Sequence, residues 1–276
     1  MDDRETTQAV PTTGSWTEKP ARTVGRRRFH RFVVKTHTIS LHETICESLI
    51  PYLQGKVHPG DIVVLSEKIV AIGEGRAVPL GSVHPRPVAR FLAHQVGQLG
   101  FGLGLGRAET MEMAIREAGL WRILLAASVG AVDRIGGRSG DFYRVAGRRV
   151  AAIDGPGPTT IAPYDGYIVL APAQAGALVH QLGRRLRGVR VVVVDVNDVG
   201  SEVLAASEGT DRRQVSRLMD DNPMGQGSQS TPVVILRPAG KGVRPPLWAT
   251  EDEAMVDQSA GSAVWPGVGP ISTALP

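Results

Sequence analysis

The sequence predicts a mixed α/β (α+β) domain carried between two flexible tails, and three observations predict it. The stretch VRVVVVDVND, residues 189–198, is an almost unbroken apolar run, the mark of a strand buried on both faces. Other short β-branched runs alternate with segments of helical apolar spacing. Both ends lose this patterning. Residues 1–29 are polar with scattered Pro, Gly and Thr, and 239–276 are richer still in Pro and Gly. The folded domain is therefore placed at 30–238, with Trp248 and Trp265 as anchors for the tail.

Element by element, RFVVKTHTI reads as a strand, and LHETICESLIPYLQG as an amphipathic helix closed by Gly55. DIVVLSEKIVAIGEGRAV reads as a strand or a bent strand pair interrupted by Ser66, Glu67 and Lys68. PRPVARFLAHQV is helical with proline near its start, GFGLGLGR is a loop, and residues 108–135 have mostly helical spacing. DFYRVAGRRVAAID resembles a hairpin about Ala146-Gly147. A strand at DGYIVLAP and a helix at AQAGALVHQLGRRL precede the apolar run. Then come a helix at TDRRQVSRLMDDN, capped by Thr210, and a last strand at TPVVILRP.

Composition narrows the class. The chain has 276 residues, 42% of them hydrophobic and only 5% aromatic, so a sizeable core is available and it is aliphatic. No apolar run approaches the roughly 20 residues that span a bilayer. The N-terminus carries no apolar signal region and Cys46 is the single cysteine, which together predict a cytoplasmic protein. The net charge of +4 is locally concentrated in RRRFHR (26–31) and RRLRGVR (184–190). Nucleic acid is disfavoured as a partner, because no aromatic stacking platform accompanies these runs and arginines at a helix C-terminus favour the helix dipole.

Three constellations could carry chemistry. Asp195 ends the apolar strand, followed by Asn197, Asp198 and Gly200. A carboxylate at such a strand end can hold Mg²⁺ or Mn²⁺ against phosphates, or can simply cap a turn. Asp154 precedes Gly-Pro-Gly-Pro and reads equally as a second metal carboxylate or a rigid turn. The loop NPMGQGSQST places Gly225, Gln226 and Gly227 beside exposed amides and hydroxyls, which suit a phosphate cradle or an ordinary helix-to-strand loop. It is not a Walker A loop, and GFGLGLGR lacks both the spacing and the preceding strand of a dinucleotide fingerprint. The seven histidines form no metal-ligand spacing, and no G-x-S-x-G elbow occurs.

The stretch GDIVVLSEKIVAIGEGRAV resembles the N-terminal signature of the coenzyme F420-0:L-glutamate ligase (γ-glutamyl ligase) family, and the later pieces follow in matching order to about residue 238. The resemblance implies that family's own mixed α/β fold, a homodimer, GTP as substrate, and Mg²⁺ or Mn²⁺. It implies L-glutamate joined to a carboxylate of F420-0, or of a related acceptor, through an acyl phosphate. By the same resemblance Asp195, Asp154 and Gln226 hold metal, with Asp195 and Asp154 catalytic. Thr36, His37, Thr38, Glu67, Lys68, Gly225, Gln226 and Gly227 contact nucleotide. The chain departs from the pattern at Ala71 and Ile72, where the family has Ser-Lys, and after Asp195, where the family has Thr-Phe-Gly-Arg. Two other functions remain in view: a non-ligating paralogue that binds nucleotide or deazaflavin, and a metal-dependent phosphate-ester hydrolase.

Overall fold

The computed structural model describes residues 15–98, 105–135, 141–157, 160–197, 200–225 and 229–240. Its centre is a six-stranded sheet. In chain order the strands are β1 (Trp16–Val24), β2 (Arg27–Val34), β3 (Ile62–Ser66), β6 (Arg190–Asn197), β7 (Gly200–Ala206) and β8 (Val233–Pro238). A separate two-stranded ribbon pairs β4 (Ala77–Pro79) with β5 (Tyr167–Val169). The large sheet runs β1-β2-β8-β3-β6-β7, and only β3 and β6 are parallel. The apolar runs occupy its middle, where Val63, Val64, Leu65, Val191, Val192, Val193 and Val194 are fully shielded from solvent.

Strand alternation divides the sheet's side chains between two cores. Val63, Leu65, Val191, Val193, Val233 and Ile235 face one side, covered by α1 (Ile45–Leu53), α2 (Glu67–Gly73) and α8 (Ala175–Arg185). Ile62, Val64, Val192, Val194, Val234 and Leu236 face the other, covered by Val215, Leu218 and Met219 of α9 (Arg212–Met219). A third core gathers α3 (Pro87–Gln98), α4 (Ala108–Ala118), α5 (Leu120–Ile135), α6 (Asp141–Ala146) and α7 (Arg148–Ala151) over Ile168 and Leu170. The mixed α/β class predicted from sequence is the one observed.

Several local expectations give way. The flexibility assigned to 1–29 does not hold for 16–29: Trp16–Val24 forms the edge strand β1, in register from Trp16↔Val34 to Val24↔Arg27, and buried Trp16 lies 6.2 Å from the Phe32 ring. The basic run RRRFHR thus lies at the β1–β2 turn and within β2 rather than ahead of the first strand. Its last arginine, Arg31, is buried against Asp221, with Nη1–Oδ1 2.5 Å and Nη2–Oδ2 2.9 Å.

The bent strand pair at 61–78 is instead strand β3 followed at once by helix α2. Ser66 caps that helix, its hydroxyl accepting Lys68 N–H at 3.3 Å, so the polar triplet SEK is a helix start and not a strand bulge. The expected hairpin at 141–154 is α6 and α7, joined at Gly147 with φ +97°. Gly119, at φ +85°, divides the helical region 108–135 into α4 and α5. The cap of α9 is Asp211 rather than Thr210, its carboxylate accepting Gln214 N–H at 3.0 Å. No helix among the described residues is long and apolar enough to cross a membrane.

Candidate functional site

The parallel pair dictates where the site lies. Ser66 stands opposite Val194 across β3 and β6, so the next residue of each chain segment, Glu67 and Asp195, emerges at the same sheet edge. A cavity of about 290 Å³ opens there, lined from five parts of the chain by, among others, Thr36, Glu67, Thr160, Asp195 and Ser230.

Its charge is unbalanced. Glu67, Asp154 and Asp195 face it, with Lys68 as the cation among the lining residues. Lys68 Nζ stands 2.8 Å from Asp154 Oδ2 and donates to Thr160 Oγ1 at 3.3 Å. Glu67 is 7% exposed, and its Oε2 is buried without a hydrogen-bond partner among the described residues. Burial pushes the Glu67 carboxyl well above the usual carboxylate range; the charges of Asp195 and Asp154 add to this and Lys68 opposes it. Burial likewise raises Asp195, with Asp154 adding and Lys68 opposing. A buried carboxylate with one oxygen lacking a donor, in the field of two others, is a site that gains from added positive charge.

The donor chemistry fits a hard cation. Carboxylate oxygens of Glu67 and Asp195, with hydroxyl and amide oxygens around them, are ligands that suit Mg²⁺ or Mn²⁺. No group of three His, Cys, Asp or Glu side chains among the described residues is already gathered to hold an ion. An ion here would complete its shell with water or substrate oxygens, as Mg²⁺ ordinarily does.

Of the residues expected from sequence, Thr36, His37, Thr38, Glu67, Lys68, Asp154, Asp195 and Gly225 all line this one cavity. Gln226 and Gly227 lie outside the described residues. His37 has both ring nitrogens engaged. Its backbone N–H donates to Tyr52 Oη at 3.1 Å, Nδ1 lies 2.9 Å from the same hydroxyl, and Nε2 lies 2.6 Å from Glu43 Oε1. With both ring nitrogens engaged, the ring orders the 36–43 segment and offers the cavity no free nitrogen. Asp195 is not the terminal residue of its strand. It lies inside β6, paired with Glu202 of β7. Asp154 is not on the large sheet but bridges Val169 of the small ribbon.

The Glu74-Gly75-Arg76 motif is structural. The Glu74 carboxylate accepts Ala173 N–H at 2.5 Å and Gln174 N–H at 2.9 Å, holding the start of α8. Gly75 sits at φ +72°, and a Cβ there would overlap the His42 ring. Arg76 Nε donates to Ala171 O at 2.6 Å, and its Nη2 pairs with Glu117 at 2.8 Å. Of the two departures from the resembled pattern, Ala71 faces the core and Ile72 lines the cavity.

Asn222, Gln229, Ser230 and Thr231, from the loop read as a phosphate cradle, also line the cavity, whereas Thr160 and Tyr164 escaped assignment to it from sequence. Asn222 and Ser230 hold left-handed backbone, φ +45° and +49°, and Ser230 O accepts Thr36 N–H at 3.0 Å. A Cβ at Gly225 would overlap the Gln229 amide, so that glycine admits Gln229 to the cavity wall. The polar run 228–231 carried the signal for this wall. Nothing in the sequence marks Thr160 or Tyr164.

Residues 34–132 match the family model described as F420-0:Gamma-glutamyl ligase. That span contains Thr36–Thr38, Glu67 and Lys68, while Asp154, Asp195 and Gly225 lie beyond it. Comparison with curated proteins gave no match.

Proposed function

We propose, from the match of residues 34–132 to the family model described as F420-0:Gamma-glutamyl ligase, that the chain is a member of that family and a GTP- and divalent-metal-dependent ligase. It forms an amide bond between L-glutamate and a carboxylate of F420-0 or a related acceptor. In the proposed sequence an acceptor carboxylate oxygen attacks the γ-phosphorus of GTP and GDP leaves. The glutamate amine then attacks the acyl carbon, its C–O bond to phosphate breaks, and phosphate departs as the amine loses a proton to solvent.

The observation that carries this reading is the convergence of Glu67, Lys68, Asp154 and Asp195 on one cavity at the C-terminal end of the parallel strand pair. Glu67 and Asp195 would hold Mg²⁺ or Mn²⁺, which when bound supplies charge neutralisation at the transferring phosphate. Lys68, fixed by Asp154, presents an ammonium where negative charge accumulates. The hydroxyls of Thr160, Ser230 and Thr231 offer donors to phosphate or acceptor oxygens.

The test is incubation of the protein with GTP, Mn²⁺, glutamate and F420-0, with mass spectrometry for added glutamate and a count of released phosphate. Glutamate addition that falls about a hundredfold or more in Asp195→Ala supports the ligase. One observation favours a second reading. Ile72 supplies an apolar wall where the resembled pattern has lysine, which suits a paralogue that binds nucleotide or deazaflavin without ligating. Tight GTP binding with no turnover selects it, and GTP-independent release of phosphate from esters selects a hydrolase.

A further inference from the structure

Away from the acidic cavity, and sharing no lining residue with it, a basic groove of about 590 Å³ lies between the β1–β2 turn, the first residue of β6 and helix α9. Arg26 and Arg27 enter it from the turn, Arg190 from β6, and Arg213 and Arg217 from α9. The fold therefore assembles five guanidinium groups from three separate parts of the chain. The lining carboxylate, Asp211, is occupied as the cap of α9, where it accepts Gln214 N–H at 3.0 Å.

Two observations show that this positive charge is uncompensated. Elsewhere several arginines are held by carboxylates: Arg31 with Asp221, Arg76 with Glu117, Arg86 and Arg116 with Glu112, Arg185 with Glu47, and Arg237 with Asp61. Arg26, Arg27, Arg213 and Arg217 have no carboxylate partner among the described residues, and all four are exposed. Helix α9 also opens on Arg212 and Arg213 with no acidic residue in its first turn. Asp211 is the carboxylate among the groove's lining residues that offsets the positive end of the helix dipole, and it stands against five guanidinium groups.

The geometry points to a polyphosphate-binding site in this groove, taking a compact anion with two or more linked phosphates. Guanidinium forks meet phosphate oxygens two at a time, and five of them can be engaged only by an anion with more oxygens and charge than a single carboxylate. The groove contains no aromatic side chain, so recognition is of the phosphates and not of a stacked base. Inorganic tripolyphosphate and the phosphate tail of a nucleotide share this chemistry. The site does not depend on the assignment of the acidic cavity.

The test is calorimetric titration of the full chain with inorganic tripolyphosphate, then with GTP, in low salt without divalent metal. Three variants accompany the wild type: Arg213→Gln/Arg217→Gln, Arg26→Gln/Arg27→Gln, and Asp195→Ala. Tripolyphosphate binding is expected to survive Asp195→Ala, to weaken about tenfold or more in each arginine pair, and to fall steeply with added salt. GTP binding that survives Asp195→Ala and is lost with the arginines assigns the groove to a nucleotide tail; tripolyphosphate binding alone assigns it to the inorganic anion. Binding unchanged by both arginine pairs, or no binding, overturns the proposal. So does a duplex or single-stranded oligonucleotide that binds more than tenfold tighter than tripolyphosphate, because the groove would then be part of a nucleic-acid surface. The substituted arginines are exposed, so folding is checked simply by an unchanged melting temperature.

Discussion

Lys68 Nζ lies 2.8 Å from Asp154 Oδ2 and so ties the first turn of α2 to the loop that precedes β5, two parts of the chain separated by more than eighty residues. The pair is partly exposed, at 28% and 47% for the two side chains, so its worth to stability is small. Its worth to the site is positional: it holds the cavity's ammonium in one place. Asp154→Asn is expected to leave the melting temperature within about 2 °C of wild type. Turnover should fall about tenfold to a hundredfold, with the loss in kcat exceeding any rise in KM. A variant with unchanged kcat would show that Lys68 needs no anchor.

Asp61 and Arg237 form the opposite kind of pair. Both side chains are 2% exposed, with Arg237 Nε 3.0 Å from Oδ1 and Nη2 2.7 Å from Oδ2. Arg237 also donates to Lys56 O, which fastens β8 to the turn before β3. Removing one partner strands a buried charge. Asp61→Ala is expected to cost about 3–5 kcal/mol in urea unfolding, with Arg237→Met milder because Met keeps the volume and the Asp61 carboxylate it strands still accepts His58 N–H at 2.8 Å. Equal losses in the two variants would contradict this account.

The Glu74 carboxylate explains a motif without recourse to chemistry at the site. It holds the N–H groups of Ala173 and of Gln174, the N-cap residue of α8. Glu74→Ala is expected to lose about 1–2 kcal/mol of stability, while substrate KM stays within about twofold once the protein is folded. A large KM change with intact stability would return Glu74 to the binding site.

Asp221 makes part of the stability depend on pH. Hydrogen bonding to Arg31 holds its carboxyl below the usual carboxylate value, against an opposing effect of burial, with the charges of Arg31 and Arg22 adding to the depression. The folded state therefore binds this proton less readily than the unfolded chain. The contribution is fully present above about pH 4 and is lost as pH falls through the lowered folded value. Because Asp221 is 46% exposed, the effect is at most about 1 kcal/mol. Thermal melts between about pH 3 and 7 should show a shallower acid-side fall in Asp221→Asn than in wild type. Parallel curves would mean that the pair adds no pH-dependent stability.

How much of this could be read beforehand varies with the range of the interaction involved. The apolar run at 189–198 announced the central strand because burial on both faces leaves its mark in the residues themselves. The same signal failed at Ser66-Glu67-Lys68. IVAI is as apolar as a strand, and the helix there is decided by a cap and by packing on β3 that no local pattern displays. Trp16–Val24 looked too polar to be ordered, but an edge strand needs one apolar face and a partner, and the partner β2 is supplied by the fold. At the site, Glu67, Asp154 and Asp195 were each visible as acidic residues near turns. That Glu67 stands beside Asp195 follows from the parallel register Ser66↔Val194, a relation between segments far apart in the chain.

That register also yields a prediction read without catalysis. Glu67 is buried with an unpartnered oxygen beside Asp195, and the protein bears the cost of keeping these groups close. A cation that joins them binds the folded state and not the unfolded chain, so it raises the melting temperature by mass action. At Mn²⁺ near one hundred times its dissociation constant the gain is about 2.7 kcal/mol, a shift of several degrees for a domain of this size. Asp195→Ala should abolish that shift. Glu67→Gln should reduce it and, by removing a carboxyl whose ionisation burial opposes, raise the metal-free melting temperature. Full Mn²⁺ stabilisation in both variants would place the ion elsewhere in the molecule and remove the two carboxylates from its shell.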